Sequence, residues 1–177
     1  MTTSKSRITD ARGEERPPTG SRRTAEGSLR WPIRETFVEY VERMRDGLVL
    51  VEDGAQRLAE GFSFPLVERI RTQEGEVLRF RGTAAFRGHG GLLAVEFAAL
   101  EIVRGREGAR LDIAEPGFPG ERLAILDLGE PRATRGGTVF EAPTLTEEGA
   151  DLFFGNYRPG TRFDAVRLPG ISFEEEA

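Results

Sequence analysis

Apolar side chains recur with helical spacing just after residue 30. They are separated by four, three, one and three positions: Ile33, Phe37, Tyr40, Val41 and Met44. This spacing is typical of the buried face of an amphipathic helix. Trp31 opens the run with Pro32 suited to a first helical turn, and Asp46 precedes a glycine that would end it. We therefore predict one helix of about three turns, with Tyr40 pointing inward among the apolar side chains.

Beyond Gly47 the apolar residues alternate with a period of two, which indicates β-strands. The alternation is clearest at 48–50, 62–66, 77–80 and 93–97, and further strands are predicted at 108–114, 121–128 and 137–142. A second helix is predicted at 146–154, because Thr144 and Glu147 have the spacing of a capping box. The predicted fold class is mainly β: an antiparallel β-sandwich or barrel-like domain with two short α-helices.

The chain divides into three predicted parts. Residues 1–28 contain Pro17-Pro18 and only one large aliphatic residue, Ile8, so we predict a disordered N-terminal arm. Residues 29–170 are predicted to form the single folded domain, and residues 171–177 an acidic tail. A chain of 177 residues suits one hydrophobic core and leaves little room for a second.

Composition excludes several kinds of chemistry. The chain has no cysteine, which excludes disulfides, iron–sulfur clusters and thiolate zinc sites. Its single histidine, His89, excludes sites that need two histidine ligands. The net charge is −5, and an acidic body argues against nucleic acid as the main partner. No apolar run is long enough to span a bilayer and no signal peptide is apparent, so we expect no membrane span and a cytoplasmic location.

Three rare residues are candidates for a functional site: the lone His89 and the only two tyrosines, Tyr40 and Tyr157. Each also has a structural explanation, since a tyrosine on an apolar helix face packs in a core and a histidine in a glycine-rich turn shapes that turn. The glycines at 88–91 do not form a dinucleotide-binding motif, because they join two predicted strands with no helix to follow. The carboxylates are dispersed and offer no recognisable acid–base pair.

Several segments occur together in a specific order. They are Trp31 to Val41 (WPIRETFVEYV), Phe62 to Pro65 (FSFP), Phe86 to Leu93 (FRGHGGLL), Leu123 to Leu128 (LAILDL) and Ala142 to Ala150 (APTLTEEGA), followed by Tyr157 and Gly160. In their order and spacing these segments resemble the HtaA-type haem-binding domain of actinobacterial haem-uptake proteins. The resemblance extends from residue 31 to about residue 168.

The resemblance implies a mostly β domain that binds haem and does not catalyse a reaction. It implies that Tyr40 is the axial ligand of the haem iron, that His89 supports Tyr40 by a hydrogen bond, and that Tyr157 contributes to haem binding. The cofactor would be ferric haem b held without a covalent link, and other haem-transfer proteins would be partners. A phenolate suits this role, because it is a hard anionic donor that favours ferric iron, and a nearby imidazole assists its ionisation. Members of the family are usually exported or found at the cell surface.

Other side chains are candidates for the haem pocket. Trp31, Phe37, Phe153 and Phe154 would form its apolar walls. Thr36 stands where the family commonly has a serine, and would affect how closely the helix approaches haem. Arg34 or Arg158 would either pair with a haem propionate or lie in solvent.

The favoured function is therefore a non-enzymatic haem-binding protein that serves in haem capture, carriage or buffering. An alternative is a β-sandwich interaction module that has kept the fold and lost haem binding. An enzyme is disfavoured, because His89 cannot easily act both as the partner of a tyrosine ligand and as an acid–base group. The haem donor, the haem acceptor and the oligomeric state are left open by the sequence.

Overall fold

The computed structural model describes residues 26–173. Within this range lie two helices, α1 (Glu35–Arg43) and α2 (Glu147–Leu152). The strands are β1 (Ser28–Trp31), β2 (Leu48–Glu52), β3 (Gln56–Leu58), β4 (Gly61–Thr72), β5 (Gly75–Phe80), β6 (Thr83–Gly88), β7 (Leu93–Ala98), β8 (Glu101–Gly105), β9 (Gly108–Ala114), β10 (Arg122–Asp127), β11 (Arg132–Thr134), β12 (Gly137–Phe140), β13 (Thr144–Leu145) and β14 (Val166–Pro169). A 3₁₀ turn, His89–Gly91, joins β6 to β7.

The described strands pair antiparallel and form two sheets. The larger sheet has the order β11-β12-β14-β1-β4-β5-β8-β9-β10-β13, with β3 paired to β4 beside this path. It is curled into a half-barrel. The smaller sheet has the order β2-β6-β7. The prediction of a mainly β, antiparallel fold with two short helices is confirmed.

Aromatic side chains form the centre of the core between the two sheets. Phe86 of β6 lies 5.7 Å from Phe62 of β4 and 6.0 Å from Phe97 of β7, measured between ring centres. Trp31 of β1 meets Phe97 at 5.4 Å, and α1 adds Phe37 at 5.0 Å from Phe86. Alternate side chains of a strand point to one face, so the period-two pattern of the sequence places these rings together.

The first hydrophobic run is split between a strand and a helix, which corrects the prediction that Trp31 opens the helix. Trp31 is the last residue of β1, where it pairs with Phe62, and its indole N–H donates to the Asp164 carbonyl at 3.2 Å. Ile33 has a φ of 69°, a left-handed conformation that interrupts a right-handed helix. The helix therefore begins only at Glu35.

The second helix is shorter than the predicted 146–154, and its cap is also a correction. Thr146, not Thr144, is the N-cap residue, and its hydroxyl oxygen accepts a hydrogen bond from the Gly149 amide at 2.9 Å. The predicted strand 108–114 agrees with β9, while β10 and β12 are shorter than predicted.

The ordered domain extends beyond both predicted boundaries. Ser28 belongs to β1, Ile171 is buried, and Phe173 packs against Phe140 with 6.1 Å between ring centres. Residues 1–25 of the predicted arm and 174–177 of the predicted tail lie outside the described residues. The division into arm, domain and tail otherwise stays a prediction. Within residues 26–173, no helix combines the length and the hydropathy that a membrane span requires.

Candidate functional site

A cavity of about 590 Å³ opens beside α1. It is bounded by α1, by the His89–Gly91 turn with the start of β7, and by the segment that follows α2. Its lining residues are Phe37, Tyr40, His89, Leu92, Leu93, Val95, Phe153, Phe154, Asn156 and Tyr157. Apolar and aromatic side chains dominate this lining, as is typical of small-molecule sites of this size.

A larger groove of about 820 Å³ borders the other side of α1. Its charged lining residues are Arg30, Glu35, Glu39, Glu42, Arg57, Glu60, Asp164 and Arg167. It contains neither the histidine nor either tyrosine. The cavity is smaller than the groove, but it is the better candidate site for an apolar ligand. A ligand bound in the groove would cover these charged side chains, which would then lose their hydration.

Tyr40 and His89 meet at the cavity. The Tyr40 hydroxyl oxygen and Nε2 of His89 are 2.6 Å apart and share a hydrogen bond. Tyr40 is 50% exposed, which corrects the prediction that it points inward with the apolar side chains. Phe37 and Val41 occupy the core-facing positions of α1, so Tyr40 is left at the cavity mouth. Its phenol is therefore accessible to a ligand while it is hydrogen-bonded to an imidazole.

The turn that carries His89 is built from three residues with left-handed backbone. The φ angles are 51° at His89, 63° at Gly90 and 96° at Gly91. A Cβ at either glycine would meet nothing within 4 Å, so backbone conformation, and not space, favours glycine at these two positions. The turn reverses the chain between β6 and β7 and directs the imidazole toward α1.

Asp46, which follows α1, contacts this turn. Its Oδ2 accepts a hydrogen bond from the Gly90 amide at 2.6 Å. That hydrogen bond holds the pKa of the Asp46 carboxyl below its ordinary value. Sequence reasoning assigned Asp46 only to a helix stop and missed the contact, because 44 positions separate it from Gly90.

Phe153 and Tyr157 form the wall opposite the turn. The Phe153 ring lies 5.3 Å from Phe37 and 5.2 Å from Tyr157, and both pairs meet edge to face. Phe153 is buried, whereas its neighbour Phe154 is 61% exposed and has a φ of 56°. The chain reverses directly after α2, so Phe153 packs in the core beneath the cavity wall and Phe154 lies exposed at the cavity mouth.

Arg34 lies behind this wall and does not line the cavity, and its pairing with a propionate stays a prediction. Its guanidinium is 4.8 Å from the centre of the Tyr157 ring and donates to the Arg162 carbonyl at 2.5 Å. The cation–π contact orients Tyr157. Arg158, the other predicted propionate partner, is exposed and also lies outside the lining.

The predicted site residues fall into two groups. Those that line the cavity are Phe37, Tyr40, His89, Phe153, Phe154 and Tyr157. Trp31 does not, and its prediction as a pocket wall is wrong: it is fully buried between the sheets. Thr36 is exposed on α1, four positions before Tyr40, and is also outside the lining.

Four lining residues were not predicted: Leu92, Leu93, Val95 and Asn156. Leu93 and Val95 follow the strand alternation, so the sequence assigned them only to the core. Leu92 is 83% exposed, and the signal for it was present, since two consecutive leucines cannot both face the core from one strand. The Asn156 side-chain amide donates to the Phe153 carbonyl at 2.9 Å and shapes the reversal after α2.

The arrangement combines an apolar slot with one reactive pair. Tyr40, Leu92 and Phe154 place exposed apolar surface around the mouth, as is typical of a binding site. When the Tyr40 phenol ionises, its oxygen becomes a hard anionic donor, and the adjacent imidazole is placed to accept the proton. The cavity therefore suits an apolar ligand that carries an electron-accepting centre.

A protein-family model, HtaA (described as Htaa), matches residues 26–169. The chain belongs to the HtaA family. The match spans nearly all of the described domain, including the cavity, α1 and the glycine turn. Among curated proteins, none matches this sequence.

Solved structures of HtaA domains share this fold. The N-terminal domain of HtaA from Corynebacterium glutamicum has a TM-score of 0.65 and 20% identity, with 82% of this chain and 97% of that chain covered. The C-terminal domain of the same protein has a TM-score of 0.65 and 19% identity, with 80% and 93% covered. The haem-binding protein HtaB from the same organism has a TM-score of 0.59 and 16% identity, with 81% and 92% covered. At these identities the likeness shows a common fold.

Proposed function

We propose that this HtaA-family chain is a non-enzymatic haem-binding protein that captures, carries or buffers haem in the aromatic cavity. The proposal depends above all on the pair at the cavity mouth, where the Tyr40 hydroxyl oxygen and Nε2 of His89 are 2.6 Å apart. Family membership supports it, as does the fold shared with the haem-binding protein HtaB. Haem supplies a planar apolar ring and an iron that takes an axial ligand from the protein.

Tyr40 would hold the iron through its phenolate oxygen. On binding, the proton of the hydroxyl would pass to Nε2 of His89, to which the hydroxyl is already hydrogen-bonded. The imidazolium would then donate a hydrogen bond back to the phenolate oxygen and keep the Tyr40 ring in one orientation. An anionic oxygen ligand favours ferric iron, so the proposed cargo is ferric haem b held without a covalent link.

The apolar walls would enclose the porphyrin ring. Phe37, Leu93 and Phe153 are buried and offer preformed surface, whereas Leu92 and Phe154 would lose exposed apolar area on binding. Removal of apolar area from water contributes about 25 cal/mol per Å². These side chains would therefore supply much of the affinity, and Tyr40 the selectivity for an iron-containing ring.

The acid–base groups of the cavity favour binding over turnover. His89 is the only histidine of the chain, and it is engaged with Tyr40. Of the described residues, no aspartate, glutamate, lysine or arginine lines the cavity. Peroxide chemistry on haem needs a separate proton-transfer group beside the reacting oxygen, which this lining does not offer.

A hemin titration followed by visible absorption tests the proposal. The wild-type protein should show a saturable Soret band with the charge-transfer features of a ferric phenolate. Tyr40→Phe should lose those features, because it removes the oxygen donor, and His89→Ala should bind hemin with an altered spectrum. Tyr157→Phe is the matched control: it removes the hydroxyl of the other cavity tyrosine, which makes no hydrogen bond within the described structure.

Each outcome is informative. If Tyr40→Phe keeps the wild-type spectrum, the assignment of Tyr40 as the iron ligand is wrong. If Tyr157→Phe alone loses the charge-transfer features, Tyr157 is the ligand instead. A wild-type titration that matches free hemin would reject haem binding. In that case the exposed Leu92 and Phe154 favour the second candidate, an interaction module that docks a protein on the same surface. Sedimentation of the wild type beside Leu92→Ser would then test self-association.

A further inference from the structure

The turn that carries His89 packs against the end of α1 on both sides of the histidine. After it in sequence, the Gly90 amide donates to Oδ2 of Asp46 at 2.6 Å. Before it, Gly88 lies so close to Met44 that a Cβ built there would be 2.9 Å from both Sδ and Cε. The segment that ends α1 thus holds the turn at two points besides the histidine ring.

His89 needs such support because its backbone is left-handed, with a φ of 51°. This conformation is unfavourable for a residue with a Cβ and persists where neighbouring groups hold it. The Gly90 amide belongs to the rigid peptide plane that directly follows His89. A hydrogen bond to that amide therefore restricts the backbone torsions that aim the imidazole.

We propose that Asp46 is a positioning residue: its carboxylate fixes the peptide plane between His89 and Gly90 and so holds the imidazole at the Tyr40 hydroxyl. Asp46 does not line the cavity, so it acts through His89. The consequence for haem rests on the proposed function, whereas the consequence for the His89 geometry does not.

Removal of the acceptor at position 46 has a defined result. The Gly90 amide turns to water, His89 relaxes toward an ordinary negative φ, and Nε2 leaves the Tyr40 hydroxyl. Tyr40 keeps its oxygen, so the protein still binds haem but holds it without the imidazole partner. The variant should therefore resemble His89→Ala in spectrum and in haem release.

Three variants separate the hydrogen bond from the charge. Asp46→Ala removes the acceptor, and Asp46→Asn keeps one, because the amide oxygen also accepts from the Gly90 N–H. Asp127→Ala is the control: Asp127 is exposed at the end of β10, and its side chain makes no hydrogen bond or ion pair within residues 26–173. Circular dichroism verifies folding, and Asp46→Leu, which also lacks an acceptor, replaces Asp46→Ala if the latter unfolds.

The first readout is NMR of the haem-free protein. In Asp46→Ala the Gly90 amide should lose protection from hydrogen exchange by about tenfold and the His89 ring signals should shift. The second readout is transfer of haem from the hemin-loaded protein to excess apomyoglobin. Release should be about five- to tenfold faster in Asp46→Ala, with altered charge-transfer bands, and within about twofold of wild type in Asp46→Asn and Asp127→Ala.

Unchanged Gly90 and His89 signals in Asp46→Ala would overturn the proposal. So would an Asp46→Asn protein that behaves like Asp46→Ala, because the acceptor would then not be the feature that matters. Failure of the wild type to bind hemin would instead reject the proposed function and leave the NMR comparison as a complete test of the positioning role.

Discussion

Phe153 and Phe154 are adjacent in sequence, yet their truncation should have different consequences. Phe153 is 2% exposed, and its ring centre lies within 6.1 Å of those of Phe37, Phe97, Tyr157 and Phe163. Phe154 is 61% exposed and lines the cavity. We expect Phe153→Ala to lower the free energy of unfolding and Phe154→Ala to lower the affinity for haem.

The size of the first effect follows from burial. Replacing a buried phenylalanine by alanine costs about 3–5 kcal/mol. Four ring neighbours place Phe153 within that range at about 4 kcal/mol, because aromatic pairs add to the energy of buried area. For a domain of this size, 1 kcal/mol shifts Tm by about 2–4 °C, so Phe153→Ala should lower Tm by roughly 8–16 °C.

The size of the second effect follows from exposed area. With 61% of Phe154 exposed, its ring offers on the order of 100 Å² to a ligand. If haem covers half of that area, the lost contact is about 1.2 kcal/mol, or about eightfold in Kd. The free energy of unfolding should change by less than about 0.5 kcal/mol, since the side chain is not part of the core.

Thermal unfolding and hemin titration of the two variants, run side by side, measure both effects. Phe118→Ala is the matched control, since Phe118 is 60% exposed and does not line the cavity. Equal losses of Tm in Phe153→Ala and Phe154→Ala would refute the assignment of the two rings to core and surface. Hemin affinity in Phe154→Ala equal to that of Phe118→Ala would remove Phe154 from the haem-contacting surface.

Two further predictions concern the scaffold around the site. Gly149→Ala should lower Tm by more than about 4 °C, because its Cβ would lie 2.3 Å from a backbone oxygen of β10 and force α2 away. Gly136→Ala, where nothing lies within 4 Å, should leave Tm nearly unchanged, and equal melting of the two would contradict the packing argument. Burial by itself would raise the pKa of Glu76, but hydrogen bonds from Arg69 and Arg71 outweigh it and hold that pKa below its ordinary 4.5. Because the pKa of Glu76 is lower in the folded protein, its carboxylate stabilises the fold above pH 4.5, and this stability is lost as the pH falls through the folded-state pKa. Glu76→Gln should therefore flatten the pH dependence of the free energy of unfolding, measured with denaturant, in that acidic range. An unchanged slope would show that another group causes the acid sensitivity.

Local patterns in the sequence determined the fold class and much of the candidate site. The glycine turns around residues 108–114 predicted β9, and Ala109, Leu111 and Ile113 are buried at every second position of that strand. Tyr40, His89 and Tyr157 were recognisable because they are rare and lie within segments that resemble a known domain. Hydrophobic periodicity indicates which side chains of an element face the core, and a motif indicates which residues follow one another over a short stretch of the chain.

Only the tertiary structure decided which of these residues meet. Trp31 directly precedes the residues with helical spacing, yet pairing with β4 draws it into a strand and away from the cavity. The contact of Asp46 with the turn after His89 depends on where the end of α1 lies beside β6 and β7. Neither outcome is encoded by spacing, because helix placement and sheet register are set by packing among segments far apart in the chain. The sequence therefore determined the elements and the candidate ligands, and packing determined the cavity, its exposed mouth and the residue that positions the imidazole.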